Sequence, residues 1–195
     1  MGYFGPIQIA VIGTHGVGKT TLCFELAAAL KRLDLSVDLV KEVARKCPLP
    51  INRETTDDAQ NWILHTQVAE EIGLAGDFDV IVCDRAVVDN YAYMVHATGR
   101  RPEIEPFIRH WMATYTMLVK VPVLAPPSFD GTRDTSVDFQ ADIDRLIDEL
   151  LDEFELPRLE LPGETRDGWV EMVLAALDLP TSPPQMDLFD GSGNG

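Results

Sequence analysis

Apolar residues follow two alternating rhythms along this chain. Short, nearly unbroken apolar runs recur at Ile7–Ile12, Ser36–Val40, Phe78–Cys83, Tyr115–Val121 and Leu159–Leu161. Runs of that length, enriched in Ile and Val, read as strands of a parallel sheet covered on both faces. Between them lie longer stretches with helical spacing: Lys19–Leu33, Asp58–Leu74, Asp84–His96 after a short loop, Glu103–Ala113, Val137–Phe154 and Glu164–Leu177. Val137–Phe154 is the clearest, because Ile143, Leu146, Ile147, Leu150, Leu151 and Phe154 share one helical face. Strand and helix alternate throughout, which predicts an α/β sandwich around a mainly parallel sheet.

The pattern stops at Pro180. Residues 180–195 are turn and linker types around one small apolar island, so they read as a flexible acidic tail to a single domain over residues 1–179. At 195 residues, 46% of them hydrophobic and 25% charged, the chain has the make-up of a soluble globular domain. No run is long enough to span a membrane. The first residues carry no basic segment of the secretory kind, and Cys23, Cys47 and Cys83 lack metal or disulfide spacing. A cytoplasmic protein with reduced thiols is the expectation. Net charge is −16, and residues 134–195 hold 16 of the 32 acids against three bases. That balance disfavours direct nucleic-acid binding, which needs phosphate neutralisation.

Candidate chemistry begins directly after the first strand. Gly13-Thr14-His15-Gly16-Val17-Gly18-Lys19-Thr20, followed by Thr21, fits G-x-x-x-x-G-K-[ST] between a strand and a helix. In that context the glycines let the backbone wrap closely around oxygens, and successive N–H groups at a helix start face phosphates. Lys19 can bridge β- and γ-phosphates, and the Thr20 hydroxyl can hold Mg²⁺. His15 lies within the loop with its side chain expected to point outward. The motif implies a nucleoside triphosphate, and the sequence has no N-K-x-D guanine signature, so ATP with Mg²⁺ is the expected pair.

Asp84-Arg85 follows the third strand, at the sheet edge that faces the loop. Asp84 can join the Mg²⁺ shell or accept a proton from an attacking hydroxyl. Arg85 can clamp an oxyanion. The plain alternative is a helix-capping Asp with a surface Arg. Glu42 ends the second strand, with Arg45 one helical turn on, and is the other candidate base. Arg100, Arg101 and Arg109 form a second basic group, able to receive a monophosphate or simply solvated. Trp62, Tyr91, Phe107 and Trp111 can stack on a base, although aromatics at helical spacing usually build core.

These segments together resemble P-loop kinases of nucleosides and nucleoside monophosphates. The resemblance is carried by the loop, by V-K-E-V-A-R at Val40–Arg45, and by Asp84-Arg85, Asp89 and Ala92-Tyr93, which are similar to the D-R-Y…S…A-Y of thymidylate kinases. The small AAA-like ATPase/kinase group that includes ribosylnicotinamide kinase domains is similar over about residues 7–177. It has a Glu after the second strand, here Glu42, and a D-G-x-R segment, here Asp130–Arg133. The resemblance implies a three-layer P-loop NTPase fold with a five-stranded parallel sheet of order 2-3-1-4-5 and helices on both faces. It also implies that Arg133 acts from a lid over the transferring phosphoryl group. The neighbouring Asp130 and Asp134 depart from a strongly basic lid.

The expected function is ATP- and Mg²⁺-dependent phosphoryl transfer to a nucleoside, nucleotide or similar small acceptor. A different class of function comes from the tail. Gln185-Met186-Asp187-Leu188-Phe189 resembles the short peptide by which bacterial replication and repair proteins bind the β sliding clamp. On that reading the domain is a nucleotide-dependent ATPase switch or adaptor.

Overall fold

The computed structural model describes residues 6–51, 54–124 and 137–182. Arg133 with its Asp130–Asp134 surroundings, and the Gln185–Phe189 peptide, lie outside the described residues. Five strands form the sheet: β1 (Ile7–Ile12), β2 (Val37–Val40), β3 (Val80–Asp84), β4 (Met117–Lys120) and β5 (Leu159–Glu160). Their order is β2-β3-β1-β4-β5 and every pairing is parallel, as the resemblance implied. The helices are α1 (Lys19–Arg32), α2 (Asp57–Leu74), α3 (Val87–Thr98), α4 (Glu105–Met112), α5 (Val137–Glu153) and α6 (Trp169–Ala176), with a 3₁₀ turn at Val43–Lys46.

The pleat of β1 and β3 sorts their side chains into two cores. Ala10, Ile12, Ile81 and Cys83 face one side, where they pack with residues of α2, α3, α4 and α5. Ile9, Val11, Val80 and Val82 face the other, against α1 and α6. Alternate residues of a strand point to opposite faces, so a six-residue apolar run supplies both layers.

Element ends differ from the sequence expectation where a polar side chain intervenes. The Asp79 carboxylate accepts from the Ser36 N–H at 2.9 Å and its hydroxyl at 2.7 Å. This exposed clip sits at the entry to both strands, and β2 and β3 begin one residue later, at Val37 and Val80. The last helix starts at Trp169 rather than Glu164, because Gly168 sits at φ 83° and the Trp169 indole is anchored on the Pro162 carbonyl at 3.2 Å. Thr56 caps α2 by accepting from the Ala59 N–H at 3.2 Å. Among the described residues no helix is long and apolar enough to cross a membrane.

Candidate nucleotide-binding and phosphoryl-transfer site

The loop between β1 and α1 is shaped by its neighbours. Gly13 adopts φ 137°, and a Cβ there would lie 2.9 Å from the Val121 carbonyl oxygen. Its N–H donates to Asp89 Oδ1 at 2.8 Å. Gly18 caps α1 at φ 97° and has no side chain of its own to bond the first-turn amides. No acidic residue occupies that first turn, and Lys31 and Arg32 complement the dipole at the far end.

Lys19 is buried and donates from Nζ to the Thr14 carbonyl at 2.6 Å. Burial, reinforced by the charge of Arg85, brings its ammonium down from 10.5 to about 8. A bound polyphosphate would reverse that penalty, since a nearby anion favours the charged form.

Register places Asp84 opposite Val11, at the carboxyl end of the sheet. There Thr20 Oγ1 donates to Asp84 Oδ2 at 2.5 Å. The structure thus brings together the two residues expected to share a metal. A hydroxyl and a carboxylate are hard oxygen donors, the set that suits Mg²⁺, which keeps several waters and few protein ligands.

Arg85 is also buried, and it takes φ 88°, which an L side chain rarely adopts. Its Nε and Nη2 donate to Glu42 Oε1 at 3.0 and 2.8 Å. Its guanidinium lies 4.7 Å from the Tyr93 ring centroid. Among the described residues Arg85 Nη1 meets no acceptor. Glu42 Oε2 accepts from Arg45 Nε at 2.8 Å. Glu42, Arg45, Asp84 and Arg85 are therefore one cluster beside the loop.

Two residues, Gln140 and Arg166, escaped the sequence reading, and a third, Asp89, was noted only as part of the resemblance and given no role. Asp89 holds the Gly13 N–H and, through Oδ2, the Ala86 N–H at 3.0 Å, so one carboxylate fixes both the loop and the start of α3. Burial pushes its carboxyl above the ordinary range, against the pull of Lys19 and Arg85. An acid at the third position of a helix is a start signal that points to it. Gln140 on α5 donates to the His15 carbonyl at 2.9 Å. The Arg166 guanidinium lies 3.0 Å from where a Cβ of Gly18 would stand. No spacing in the sequence links the last two to the loop.

His15 departs from the outward position expected. Its side chain is buried, with Nδ1 3.2 Å from the Tyr93 hydroxyl and its ring 5.3 Å from that of Phe139. The Tyr93 hydroxyl on α3 and the Phe139 ring on α5 draw the imidazole in. The Arg100, Arg101 and Arg109 group is occupied by acids: Arg100 pairs with Glu105 and Glu153, Arg101 with Asp57 and Glu103, and Arg109 with Glu153. Tyr91 is buried and donates to Glu105, while Trp111 donates to Glu71. Phe107 packs on Trp111 and His65.

Beside the loop a groove of about 490 Å³ runs between α1 and α6, bounded among others by Gly18, Thr21, Leu22, Arg32, Arg166 and Trp169. It adjoins the phosphate loop at Gly18.

The family model described as AAA domain matches residues 8–167. The chain belongs to the AAA domain family. Among curated proteins none matches this AAA domain in sequence. Solved structures share its fold. NadR protein in complex with NR aligns with TM-score 0.71 at 18% identity, covering 93% of this chain and 54% of NadR. The AAA domain thus spans about half the length of that protein. Deoxyadenosine kinase from M. mycoides, with products dCMP and dCDP bound, aligns with TM-score 0.63 at 16% identity, covering 88% and 98% of the two chains. The same kinase with dATP aligns with TM-score 0.63 at 15% identity, covering 88% and 99%. The fold is that of the P-loop kinase-like NTPases.

Proposed function

We propose that this AAA domain transfers a phosphoryl group from ATP to a nucleoside, nucleotide or similar small acceptor. The observation that carries the reading is the Thr20–Asp84 contact of 2.5 Å beside buried Lys19, with the Arg85–Glu42 pair just beyond the ends of β3 and β2. A domain that only bound a triphosphate would need the first half of that arrangement and not the second.

The residues divide by side. Loop amides and Lys19 hold the β- and γ-phosphates of ATP, where fixed donors stabilise charge without reorganising. Thr20 and Asp84 would hold Mg²⁺, which supplies charge neutralisation and orientation to the phosphates. Asp84 serves the metal side with Thr20, and Glu42 is assigned the acceptor hydroxyl, with Arg85 aiming its carboxylate. Arg85 Nη1 then offers its spare donor to an acceptor or phosphoryl oxygen. The α1–α6 groove takes the base of ATP, with Arg166 against one face. A role for Arg133 over the transferring group completes the proposal. The structural neighbours solved with NR and with deoxynucleotides support a nucleoside-type acceptor.

A transfer screen with radiolabelled ATP across nucleosides and monophosphates tests this, with Lys19→Ala as control. Label appears in one acceptor class with the wild type and is lost with Lys19→Ala. Equal transfer by both proteins would sink the assignment. Slow hydrolysis without any labelled acceptor, with affinity for a bacterial sliding clamp that changes with nucleotide, would instead favour the switch reading and its Gln185–Phe189 peptide.

A further inference from the structure

Behind the Arg85 turn lies a buried carboxylate that the mechanism proposed above does not use. Glu71, near the end of α2, is 2% exposed. Its Oε1 accepts from Gln67 Nε2 and the Tyr115 hydroxyl, each at 2.7 Å. Its Oε2 accepts from Gln8 Nε2 and Trp111 Nε1, each at 2.7 Å. Four donors from β1, α2, α4 and the approach to β4 converge on two oxygens. An ionised carboxylate has about that capacity, and it donates nothing. All four donors are neutral. Burial pushes the Glu71 carboxyl up, while the four donors pull it back toward the ionised form. A buried carboxylate without a cation is a costly way to fill a core, and an apolar side chain would do it more cheaply.

Two of the donors reach further. Gln67 Nε2 also donates to the Arg85 carbonyl at 3.2 Å, and the Tyr115 hydroxyl accepts from the Val87 N–H at 3.2 Å. Those contacts bracket the segment in which Arg85 is held at φ 88°. Glu71 fixes the orientation of both side chains, because each spends a hydrogen on it. The donor end of Gln67 is thereby held at the Arg85 carbonyl, and the Tyr115 lone pair is left for Val87. On the front of the same turn stand the Arg85 guanidinium on Glu42 and the Asp89 carboxylate on Gly13.

We propose that Glu71 is a positioning residue: acting through Gln67 and Tyr115, it locks the Arg85–Val87 turn so that the Arg85 guanidinium is aimed before substrate arrives. Its catalytic consequence rests on the phosphoryl-transfer reading; its structural consequence does not.

The test compares wild type with Glu71→Gln, and with Tyr115→Phe and Gln67→Met as variants that keep the fold if Glu71→Gln does not. The first readout is the Arg85 Nε–H signal in ¹⁵N NMR, read without any substrate. In the wild type it exchanges slowly because it is bonded to Glu42. In every folded variant it shifts and exchanges at least about ten-fold faster, as expected when a buried hydrogen bond opens locally. The second is steady-state kinetics: kcat falls about ten-fold or more while the KM for ATP changes less than about two-fold, the signature of lost transition-state positioning. An unchanged Arg85 signal in a folded variant overturns the proposal, whatever the activity. A moved signal with no transferase activity even in the wild type would sustain the positioning role and sink the phosphoryl-transfer reading instead.

Discussion

Replacing Lys19 by methionine should make the protein more stable and useless. Lys19 is 4% exposed, and its ammonium is lowered from 10.5 to about 8, chiefly by burial and then by Arg85. Carrying that charge at neutral pH therefore costs the folded state about 3 kcal/mol relative to the unfolded chain. Methionine has a similar length and no charge, but it leaves the Thr14 carbonyl without its donor, a loss of about 1–2 kcal/mol. The balance favours Lys19→Met by about 1–2 kcal/mol at pH 7, or about 2–8 °C in melting temperature for a domain of this size. The sign of the pH dependence follows from the direction of the shift. Between about pH 8 and 10.5 the unfolded wild type binds more protons than the native state, so wild-type stability rises with pH there. The advantage of the variant should shrink across that window and be full below it. Thermal and urea unfolding followed by circular dichroism at pH 7 and 9.5, with ATP binding measured in parallel, supply the assay. A variant less stable than wild type at pH 7, by a margin that does not move with pH, would refute the reasoning. So would a variant that still binds ATP as tightly.

Thr20→Val should weaken Mg²⁺-dependent ATP binding and cut transfer about a hundred-fold, whereas Thr20→Ser keeps the hydroxyl and most of the activity; Mg²⁺ titrations of the rate separate the two. Arg166→Ala should raise the KM for ATP about ten-fold, or about 1.4 kcal/mol, with kcat little changed; a fall in kcat alone would move Arg166 out of the base groove. Gly99→Ala meets no atom within 4 Å but must hold φ 90°, so it should cost about 1–3 kcal/mol in urea unfolding. Gly13→Ala combines φ 137° with a contact of 2.9 Å to the Val121 carbonyl, and should cost roughly 2 kcal/mol more than Gly99→Ala.

What could be read in advance depended on whether the signal was periodic or local. Ile7–Ile12 announced β1 because an unbroken apolar run has few other uses, and the same holds for the strand ending at Asp84. The loop was legible because three glycines, a lysine and a threonine are constrained by one small piece of backbone. Glu42 and Asp84-Arg85 were legible from strand ends, since a parallel sheet gathers its carboxyl ends on one edge. Arg166 was not, for it reaches the loop across 149 positions and a single guanidinium leaves no pattern. Glu71 reads in the sequence as one more acid on an acidic helix. Only the fold turns four separated donors onto it. The inward turn of His15 likewise depends on Phe139, more than a hundred residues away. The basic group at Arg100, Arg101 and Arg109 misled in the opposite way, because its neutralising acids are scattered over Asp57, Glu103, Glu105 and Glu153.

The two-faced sheet has a consequence for re-engineering. Side chains of α1 and α6, which border the groove beside the loop, share one core, while α2, α3, α4 and α5 share the other. The strands between them contribute alternate residues to each. Libraries confined to the α2–α3 layer can therefore be repacked as a unit, leaving the opposite layer as a constant chassis. Substitutions placed on the two layers should combine additively in stability, as independent sites do. The domain is in this sense already built as two separately packed layers, with the sheet as the seam and the loop, held by Asp89 and Gln140, as the tie between them.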